Sequence, residues 1–490
     1  MRKLGVIFIA VVLLFGLAAF GLWSSVSAQV TPQNDAKMVE LGRLLFFDPD
    51  LSVNGKQSCA SCHAPEAGFS GPDSEDNLLT AVYEGTLDGR FGNRKPPSSS
   101  YVGDSPTLHF DKALGLWIGG MFWDGRATGA VLGDPVAEQA QGPFLNPLEM
   151  AMPHSRQVVI KVAHSEYAWL FKEVWGPQSL KYNKQEEVDL AYERIARSIA
   201  AYERSAEVDP YDSRFDLFYD KAKAKGLDVS KIRCGTMSGG MDGGMMGGMC
   251  APKDANGTMS PYSWQKYMGL GLNGMELQGL AIFNDPTRAN CAFCHSLAEG
   301  SAGYPLFTDF SYHNLGVPKN PDNPFYGMDL EWNPDGAGWV DYGLGAFLKN
   351  SGYPAEVYTI ENGKFKVPSL RNVDKRPTPE FVKAYTHNGY FKSLTDIIIF
   401  YSWRGLVMNG GLGMGGSGMD GCSGGMGGGG MGGGGMGGGG MGGGITPEMM
   451  CSPDLFPAPE MAENMTPMNH FNFMSDTMKI EAFLKTLSDQ

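Results

Sequence analysis

The sequence predicts a mainly α-helical protein with long loops, and three observations support that fold class. Apolar residues recur at helical spacing in several segments, whereas the period-two alternation of half-buried strands is scarce. Glycine, proline and asparagine are frequent between those segments, as in connecting loops. The excess of glycine (68 of 490 residues) and methionine (28 residues) is concentrated in two low-complexity tracts, 234–250 and 409–444.

Five segments carry the helical pattern. The first, 38–47, ends at Asp48-Pro49, because the residue before a proline is disfavoured in a helix. In the second, 186–204, the apolar residues fall near helical spacing. The other three are the stretch that follows Asp209-Pro210, residues 277–283, and the amphipathic segment 478–487.

Charge and cysteine content exclude several classes of protein. The net charge of −14 argues against nucleic acid or an anionic membrane surface as the main partner. Eight cysteines in 490 residues are too few for a small scaffold built on disulfides. With 42% hydrophobic and 19% charged residues, the chain can form real hydrophobic cores, and its length suits two or three domains.

The first 28 residues are typical of a secretory signal peptide. Arg2 and Lys3 precede an apolar run over 4–23, and the small residues Val26 and Ala28 mark a cleavage site after Ala28. The body of the chain, from residue 31, is therefore expected to be exported. If the leader is retained instead, the apolar run is long enough to anchor the protein in a membrane.

Two C-x-x-C-H motifs are the strongest functional signal. Two thiols at this spacing add to the two vinyl groups of a haem, and the adjacent histidine becomes the proximal iron ligand. A thioredoxin-like pair would come with one motif beside a βαβ pattern, and a zinc site with denser cysteine and histidine. The sequence therefore predicts two covalently bound haem c groups. Their residues are Cys59, Cys62 and His63 in the first motif, and Cys291, Cys294 and His295 in the second.

The other four cysteines bracket the two low-complexity tracts. In an oxidising compartment this arrangement favours disulfides that close two loops. Three connectivities are open, and we favour the local pairing of Cys234 with Cys250 and of Cys422 with Cys451.

Short segments around the haem motifs resemble those of the bacterial di-haem cytochrome c peroxidases, and in particular their MauG-like branch. The resemblance covers nearly all of the chain outside the leader and the two tracts. It implies two class-I cytochrome c-like domains, 31–205 and 206–490, each with one haem c, in a protein of the periplasm. The similar segments are 41–49, 122–127, 138–143, 146–150, 367–372 and 387–389.

The resemblance also implies roles around the first haem. Glu149 and Gln139 would line its open face, and Trp123 would lie between the two haems. A carboxylate shielded from water is a suitable base for peroxide, since its pKa rises into a useful range. A neutral amide can orient peroxide without adding charge, and an indole ring offers an oxidisable π-system.

The first iron is expected to be open in the diferric protein. Relatives that need reductive activation carry a histidine soon after the first motif, where it occupies the sixth position of the resting iron. Residues 64–100 contain no histidine. His109 is the nearest alternative ligand, and we interpret it as a loop residue.

Tyr401 is the expected sixth ligand of the second iron. It stands 14 residues after His387, where the resemblance puts a methionine in most peroxidases and a tyrosine in MauG-like proteins. Phenolate is a hard anionic ligand and favours ferric iron, whereas thioether favours ferrous iron. Met408 is the rival ligand, and the choice stays open.

Calcium and copper are two further metals that the sequence brings into question. Calcium lies between the domains of many relatives, but its asparagine position aligns with Lys95 here, and 376–379 belongs to an unusually long stretch. A lysine ammonium would oppose a divalent cation, so calcium is possible but disfavoured. The methionine-rich tracts are interpreted as flexible low-complexity loops, as Cu(I) sites built from thioethers, or as sacrificial reductants.

These observations predict an exported oxidoreductase that depends on hydrogen peroxide. Its electrons would come from a small redox protein (a cytochrome c or cupredoxin) or, in a MauG-like reaction, from a residue of a protein substrate. The alternative is a di-haem electron-transfer cytochrome without peroxidase turnover, with copper-binding methionine-rich loops.

Overall fold

The computed structural model of the chain describes residues 32–234, 250, 262–408, 457–469, 471 and 475–490, and these are mainly helical. The helices are α1 (Pro32–Phe47), α2 (Ser74–Leu79), α3 (Pro135–Leu145), α4 (Ser155–His164), α5 (Ala168–Trp175), α6 (Gln185–Glu203), α7 (Arg214–Ala224), α8 (Gly274–Asn284), α9 (Gly343–Asn350), α10 (Ala355–Tyr358), α11 (Leu394–Met408) and α12 (Ser475–Leu484). None of these described helices has the length and apolarity needed to cross a membrane. The predicted leader lies outside the described residues.

Sheet structure in the described residues is confined to two antiparallel pairs. The strands are β1 (His109–Asp111), β2 (Leu116–Ile118), β3 (Tyr312–His313) and β4 (Phe365–Lys366). β1 pairs with β2, and β3 pairs with β4. The predicted mainly α class with long loops is therefore confirmed.

The five predicted helical segments all fold as helices, but α1 begins at Pro32, six residues before its predicted segment, and other helix ends differ by up to three residues. α8 begins at Gly274, three residues earlier than its apolar pattern, because Asn273 caps it. The Asn273 side chain accepts from the backbone N–H of Glu276 at 3.0 Å, and the Glu276 carboxylate accepts from the N–H of Asn273 at 2.8 Å. The predicted segment 478–487 spans the end of α12 and a 3-10 turn, Lys485–Leu487.

The core is formed by two large hydrophobic clusters, one from residues 41–208 and one from residues 215–487. Each cluster contains one tight helix crossing, α1 on α6 and α8 on α12. A Cβ on Gly42 would lie 1.9 Å from the Ser198 carbonyl oxygen, and a Cβ on Gly279 would lie 1.9 Å from that of Lys479. Only glycine permits this approach, so the two halves use the same backbone contact to pack their helices.

A buried ion network joins the two halves of the chain. The Arg94 guanidinium contacts the Asp124 carboxylate at 2.6 Å and makes two contacts, of 2.6 and 2.7 Å, with Asp341. Asp341 is only 4% exposed and depends on Arg94 for compensation, whereas Asp124 also contacts the Arg126 guanidinium at 3.0 Å. The network holds the segment around Asp124 against a loop that lies more than 200 residues later in the chain.

The structure joins Cys234 and Cys250 by a disulfide, which confirms the local pairing predicted for the first tract. Residues 235–249 between them lie outside the described residues. The same is true of Cys422, Cys451 and the second tract.

Candidate functional site

The predicted site residues line two cavities, and Trp123 lies in the wall of both. The first cavity has the first C-x-x-C-H motif in its wall, and the second cavity has the second motif. The residues at the first cavity are Cys59, Cys62, His63, Gln139 and Glu149. Those at the second are Cys291, Cys294, His295 and Tyr401.

Each C-x-x-C-H motif folds as one 3-10 turn, Cys59–Ser61 and Cys291–Phe293. In the first, the His63 N–H donates to the Cys59 carbonyl at 3.0 Å. In the second, the His295 N–H donates to the Cys291 carbonyl at 2.9 Å. None of the four motif cysteines forms a disulfide within the described part of the chain. Both turns therefore present two thiols and one imidazole to a single cavity.

A backbone carbonyl orients each motif histidine. Nδ1 of His63 lies 3.2 Å from the Phe69 carbonyl oxygen, and Nδ1 of His295 lies 3.0 Å from that of Phe307. This contact favours the tautomer with the proton on Nδ1, which leaves the Nε2 lone pair for a metal. Burial lowers the pKa of His63 to about 4, so its imidazole is neutral at physiological pH. The donor set fits a covalently attached haem with an axial imidazole.

Glu149 is positioned by the end of α3. Asn146 follows the last residue of that helix, and its amide donates to Glu149 Oε1 at 2.7 Å. Burial raises the pKa of Glu149, an effect opposed by the positive charge of Arg126 and by the Asn146 hydrogen bond. Gln139 lies on α3 in the same cavity wall. The first cavity thus holds a carboxylate of raised pKa and a neutral amide, in a wall shared with the first motif.

Trp123 is held from both halves of the chain. Its indole Nε1–H donates to the Lys95 carbonyl at 2.8 Å, and its own carbonyl accepts from the Lys366 N–H at 2.9 Å. The preceding residue, Phe122, has a φ of 64°, a strained conformation for a residue with a Cβ. The residue that follows Trp123, Asp124, is held by the ion network with Arg94 and Asp341. The indole is therefore a fixed wall between the cavities.

Tyr401 lies on α11 and lines the second cavity. Burial raises the pKa of its phenol, so the phenolate becomes favourable there only beside a compensating cation. Met408 closes the same helix, and its side chain lies outside the described residues. The structure therefore places Tyr401 at the cavity without deciding between it and Met408.

Lys95, at the position where the resemblance puts a calcium ligand, is buried and lines both cavities. Its Nζ donates to the Pro96 carbonyl at 3.0 Å, and its N–H donates to the His387 carbonyl at 2.8 Å. Burial lowers the pKa of Lys95 to about 8. In the described ranges, no three His, Cys, Asp or Glu side chains come together as a metal site. The described residues therefore give no support to a calcium or a copper site.

His109 lies outside the first cavity. It is exposed on β1, and its Nδ1 lies 2.9 Å from the Thr107 carbonyl oxygen. Among the described residues that line the first cavity, His63 is the only histidine. His109 is therefore no ligand candidate at the first cavity, but it lies in a short β-hairpin and not in a loop.

Several residues at the cavities carried little or no signal in the sequence. Phe325 and Trp332 reach the first cavity from a loop of the C-terminal half, and the Arg90 guanidinium lies 4.3 Å from the Trp332 ring centre. His387 lines the second cavity and stacks on Phe365 with ring centres 3.5 Å apart. His387 lies in the segment 387–389, which resembles the di-haem peroxidases, so the sequence offered a signal for it. Phe325 and Trp332 occur in no such segment.

Comparison with known proteins gives one consistent family. A family model described as di-haem cytochrome c peroxidase matches residues 36–224. The chain is 32% identical over 376 residues to methylamine utilization protein MauG of Paracoccus denitrificans, covering 76% of each chain. It is 34% identical over 372 residues to cytochrome c551 peroxidase of Nitrosomonas europaea, covering 75% of this chain and 73% of that protein.

The fold has a close counterpart among solved structures. The crystal structure of the diheme peroxidase BthA from Burkholderia thailandensis superposes with a TM-score of 0.60 at 24% identity. The match covers 94% of this chain and 86% of that chain. At this level of identity the likeness concerns the fold alone.

Proposed function

The chain belongs to the di-haem cytochrome c peroxidase family, whose members are oxidoreductases, and from that premise we propose that it is an exported, periplasmic di-haem c enzyme that reduces hydrogen peroxide. One observation carries the proposal: each of two cavities has one C-x-x-C-H motif in its wall, and Trp123 lies in the wall of both. A plain electron carrier needs no cavity in which a carboxylate and an amide share the wall with its haem-attachment motif.

The two motifs would hold the two haems in the proposed enzyme. Cys59 and Cys62 would attach one haem and Cys291 and Cys294 the other, and His63 and His295 would bind the two irons. Bound haem supplies the peroxide-binding and redox chemistry that protein side chains lack. The chain supplies a neutral, oriented imidazole on one side of each cavity.

Glu149 is the proposed acid–base group. Its ionised carboxylate would take one proton from hydrogen peroxide and return it to the departing oxygen as water forms. The overall reaction consumes two electrons and two protons per peroxide and releases two waters. Gln139 would orient the peroxide by hydrogen bonds, and its neutral amide adds no charge to the cavity.

Trp123 would connect the two cavities, since an electron that crosses between them meets one indole ring. The electrons come from a small redox protein, a cytochrome c or cupredoxin, in the peroxidase version of the proposal. In the MauG-like version they come from a side chain of a protein substrate. Tyr401 favours the second version, because a phenolate ligand stabilises oxidised iron.

The proposed function is tested by mixing the diferric protein with hydrogen peroxide and recording optical spectra. We expect an immediate change of the haem spectrum without prior reduction, because the described wall of the first cavity carries no histidine other than His63. A change that requires prior reduction of one haem would contradict the open first site. A protein inert in both states would favour the electron-transfer alternative.

Replacing Tyr401 with phenylalanine tests the second site. We expect the Tyr401→Phe variant to lose the low-spin signal of one haem in optical and EPR spectra, because the cavity loses its phenolate donor. Tyr390→Phe is the matched control, since Tyr390 packs on the same hydrophobic cluster but does not line the cavity. Unchanged spectra in Tyr401→Phe would show that another residue, with Met408 first, is the ligand.

A further inference from the structure

Three tyrosine rings contact one another in a row from the interior to the surface. Tyr101 is 1% exposed, and its ring centre lies 4.9 Å from that of Tyr211 in an edge-to-face contact. Tyr211 stacks on Tyr304 with ring centres 5.1 Å apart and an angle of 22° between the planes. Tyr211 and Tyr304 are partly exposed. The row runs continuously between a buried phenol and solvent.

The buried end of the row lies one side chain from the second cavity. Arg371 lines that cavity, and its guanidinium carbon lies 4.9 Å from the Tyr101 ring centre and 4.7 Å from that of Tyr211. Two hydrogen bonds to the Asp216 carboxylate, at 2.8 and 2.9 Å, and one to the Pro305 carbonyl at 2.7 Å hold the guanidinium in place. The distance between the cavity wall and the row is therefore fixed.

The phenols at both ends of the row have carboxylates as proton acceptors. The Tyr101 hydroxyl donates to Asp489 Oδ2 at 2.7 Å, in a buried contact. The other oxygen, Asp489 Oδ1, has no hydrogen-bond partner among the described residues. At the surface, the Tyr304 hydroxyl donates to Asp220 Oδ2 at 3.2 Å.

This pairing decides whether a buried tyrosine can be oxidised at low cost. If Tyr101 loses an electron and its proton moves to Asp489, the anionic pair becomes a neutral radical beside a neutral acid, and no positive charge forms on the ring. Creating a bare phenol cation in the interior would instead carry the large penalty of an uncompensated buried charge. Burial raises the pKa of Asp489, so its carboxylate holds a transferred proton well.

The backbone at two of the tyrosines is strained. Tyr101 has a φ of 59° and Tyr211 a φ of 52°, in the left-handed region that residues with a Cβ avoid. Such conformations are unfavourable and persist where the surrounding structure imposes them. The chain therefore bears strain at two tyrosines whose rings contact each other.

We propose that Tyr101, Tyr211 and Tyr304 form a relay that carries single electrons from a donor docked at Tyr304 to the redox centre of the second cavity. The relay rests on the proposed function, which supplies the oxidant, hydrogen peroxide. It adds a route for the electrons and a surface site at which they enter.

Each electron moves in three balanced steps. Tyr101 gives one electron to the oxidised centre and its proton to Asp489. Tyr304 then gives one electron to the Tyr101 radical across the Tyr211 ring, as Asp489 returns the proton and Asp220 accepts that of Tyr304. Finally a one-electron donor reduces the Tyr304 radical, and Asp220 returns the proton. Two such passages supply the two electrons that one peroxide consumes.

The test follows tyrosyl radicals directly in the haem-loaded protein. Protein with ring-deuterated tyrosine is treated with hydrogen peroxide and frozen for EPR, and a nitroso spin trap is located on peptides by mass spectrometry. We expect a tyrosyl signal and a trap adduct on Tyr304. Tyr101→Phe should lower both roughly tenfold. Tyr267→Phe is the control, since Tyr267 is buried, its hydroxyl donates to the Asp228 carbonyl and its ring packs on Phe218 instead of on the row.

The outcomes separate the relay from the proposed function. If peroxide changes the haem spectrum but Tyr101→Phe leaves the signal and the Tyr304 adduct at wild-type levels, the relay is wrong and the proposed function stands. If peroxide changes no spectrum in the wild type, both are wrong. Should Tyr101→Phe fold poorly, Tyr304→Phe at the surface decides alone. If the relay is right, Tyr304→Phe slows the oxidation of a one-electron donor roughly tenfold, while the spectral response to peroxide stays intact.

Discussion

The Glu149→Gln variant is expected to react with hydrogen peroxide about 10²–10⁴-fold more slowly than the wild type, the usual contribution of a positioned acid–base group. Glutamine keeps the size of the side chain and can still hydrogen-bond with Asn146, but it cannot take a proton from peroxide. Stopped-flow spectroscopy of the diferric protein measures the rate constant.

The pH dependence of this rate is a second, independent test of the role of Glu149. Burial raises the pKa of Glu149, so the carboxylate stays protonated to higher pH than an exposed glutamate. A base works only when ionised, and the wild-type rate should therefore fall as the pH is lowered through this raised pKa. The profile of Glu149→Gln should lack that inflection.

An exposed carboxylate provides the matched control. Glu66 lies near the first motif but outside the first cavity, so Glu66→Gln should keep the wild-type rate and pH profile. A Glu149→Gln variant with the wild-type rate would remove Glu149 from the mechanism. A loss of rate with the pH inflection retained would assign the titrating base to another group.

The Arg371→Met variant is expected to lose about 3–5 kcal/mol of unfolding free energy, the usual cost of removing one partner of a buried ion pair. The Arg371 and Asp216 side chains are 0% and 1% exposed and share two hydrogen bonds. Without the guanidinium, the Asp216 carboxylate keeps only its contacts with the cap of α7, Ser213 Oγ at 2.6 Å and Ser213 N–H at 3.1 Å.

Urea denaturation of the haem-loaded protein measures this loss. Adding Asp216→Asn to Arg371→Met should recover part of the stability, because the uncompensated charge is then gone while the acceptor for Ser213 remains. Lys223→Met is the surface control. Its ion pair with Glu299 is 55% and 43% exposed and should contribute less than about 1 kcal/mol. A loss below that value for Arg371→Met would contradict the buried-pair interpretation.

Much of the helical fold was predictable because its signals are local. Apolar spacing over a few turns indicates a helix, and Asp48-Pro49 marks where α1 ends. Helix ends were less accurate, since α8 begins where the side chain of Asn273 caps it, outside the apolar pattern. The tight crossings of α1 on α6 and of α8 on α12 were not predicted. A glycine within a helix does not reveal which backbone it contacts.

In the candidate site, too, the residues with a local sequence signal were predictable and the others were not. The C-x-x-C-H motifs carry their chemistry in five consecutive residues, so Cys59, His63, Cys291 and His295 were identified from sequence alone. Glu149, Gln139 and Tyr401 came from the resemblance, and the structure places them at the two cavities. The low-complexity tracts carry no apolar periodicity from which a structure could be predicted, and apart from Cys234 and Cys250 they lie outside the described residues.

The sequence by itself determined the helical class and the two C-x-x-C-H motifs, because both are encoded in short-range patterns of residue type; the export signal stays a prediction. Only the tertiary structure decided that Trp123 lies in the walls of both cavities and that Trp332 enters the first from the far half of the chain. The same holds for the contact of Tyr101 with Tyr211 and Asp489. Such contacts join residues up to 388 positions apart, and the sum of many weak packing and hydrogen-bonding energies selects them.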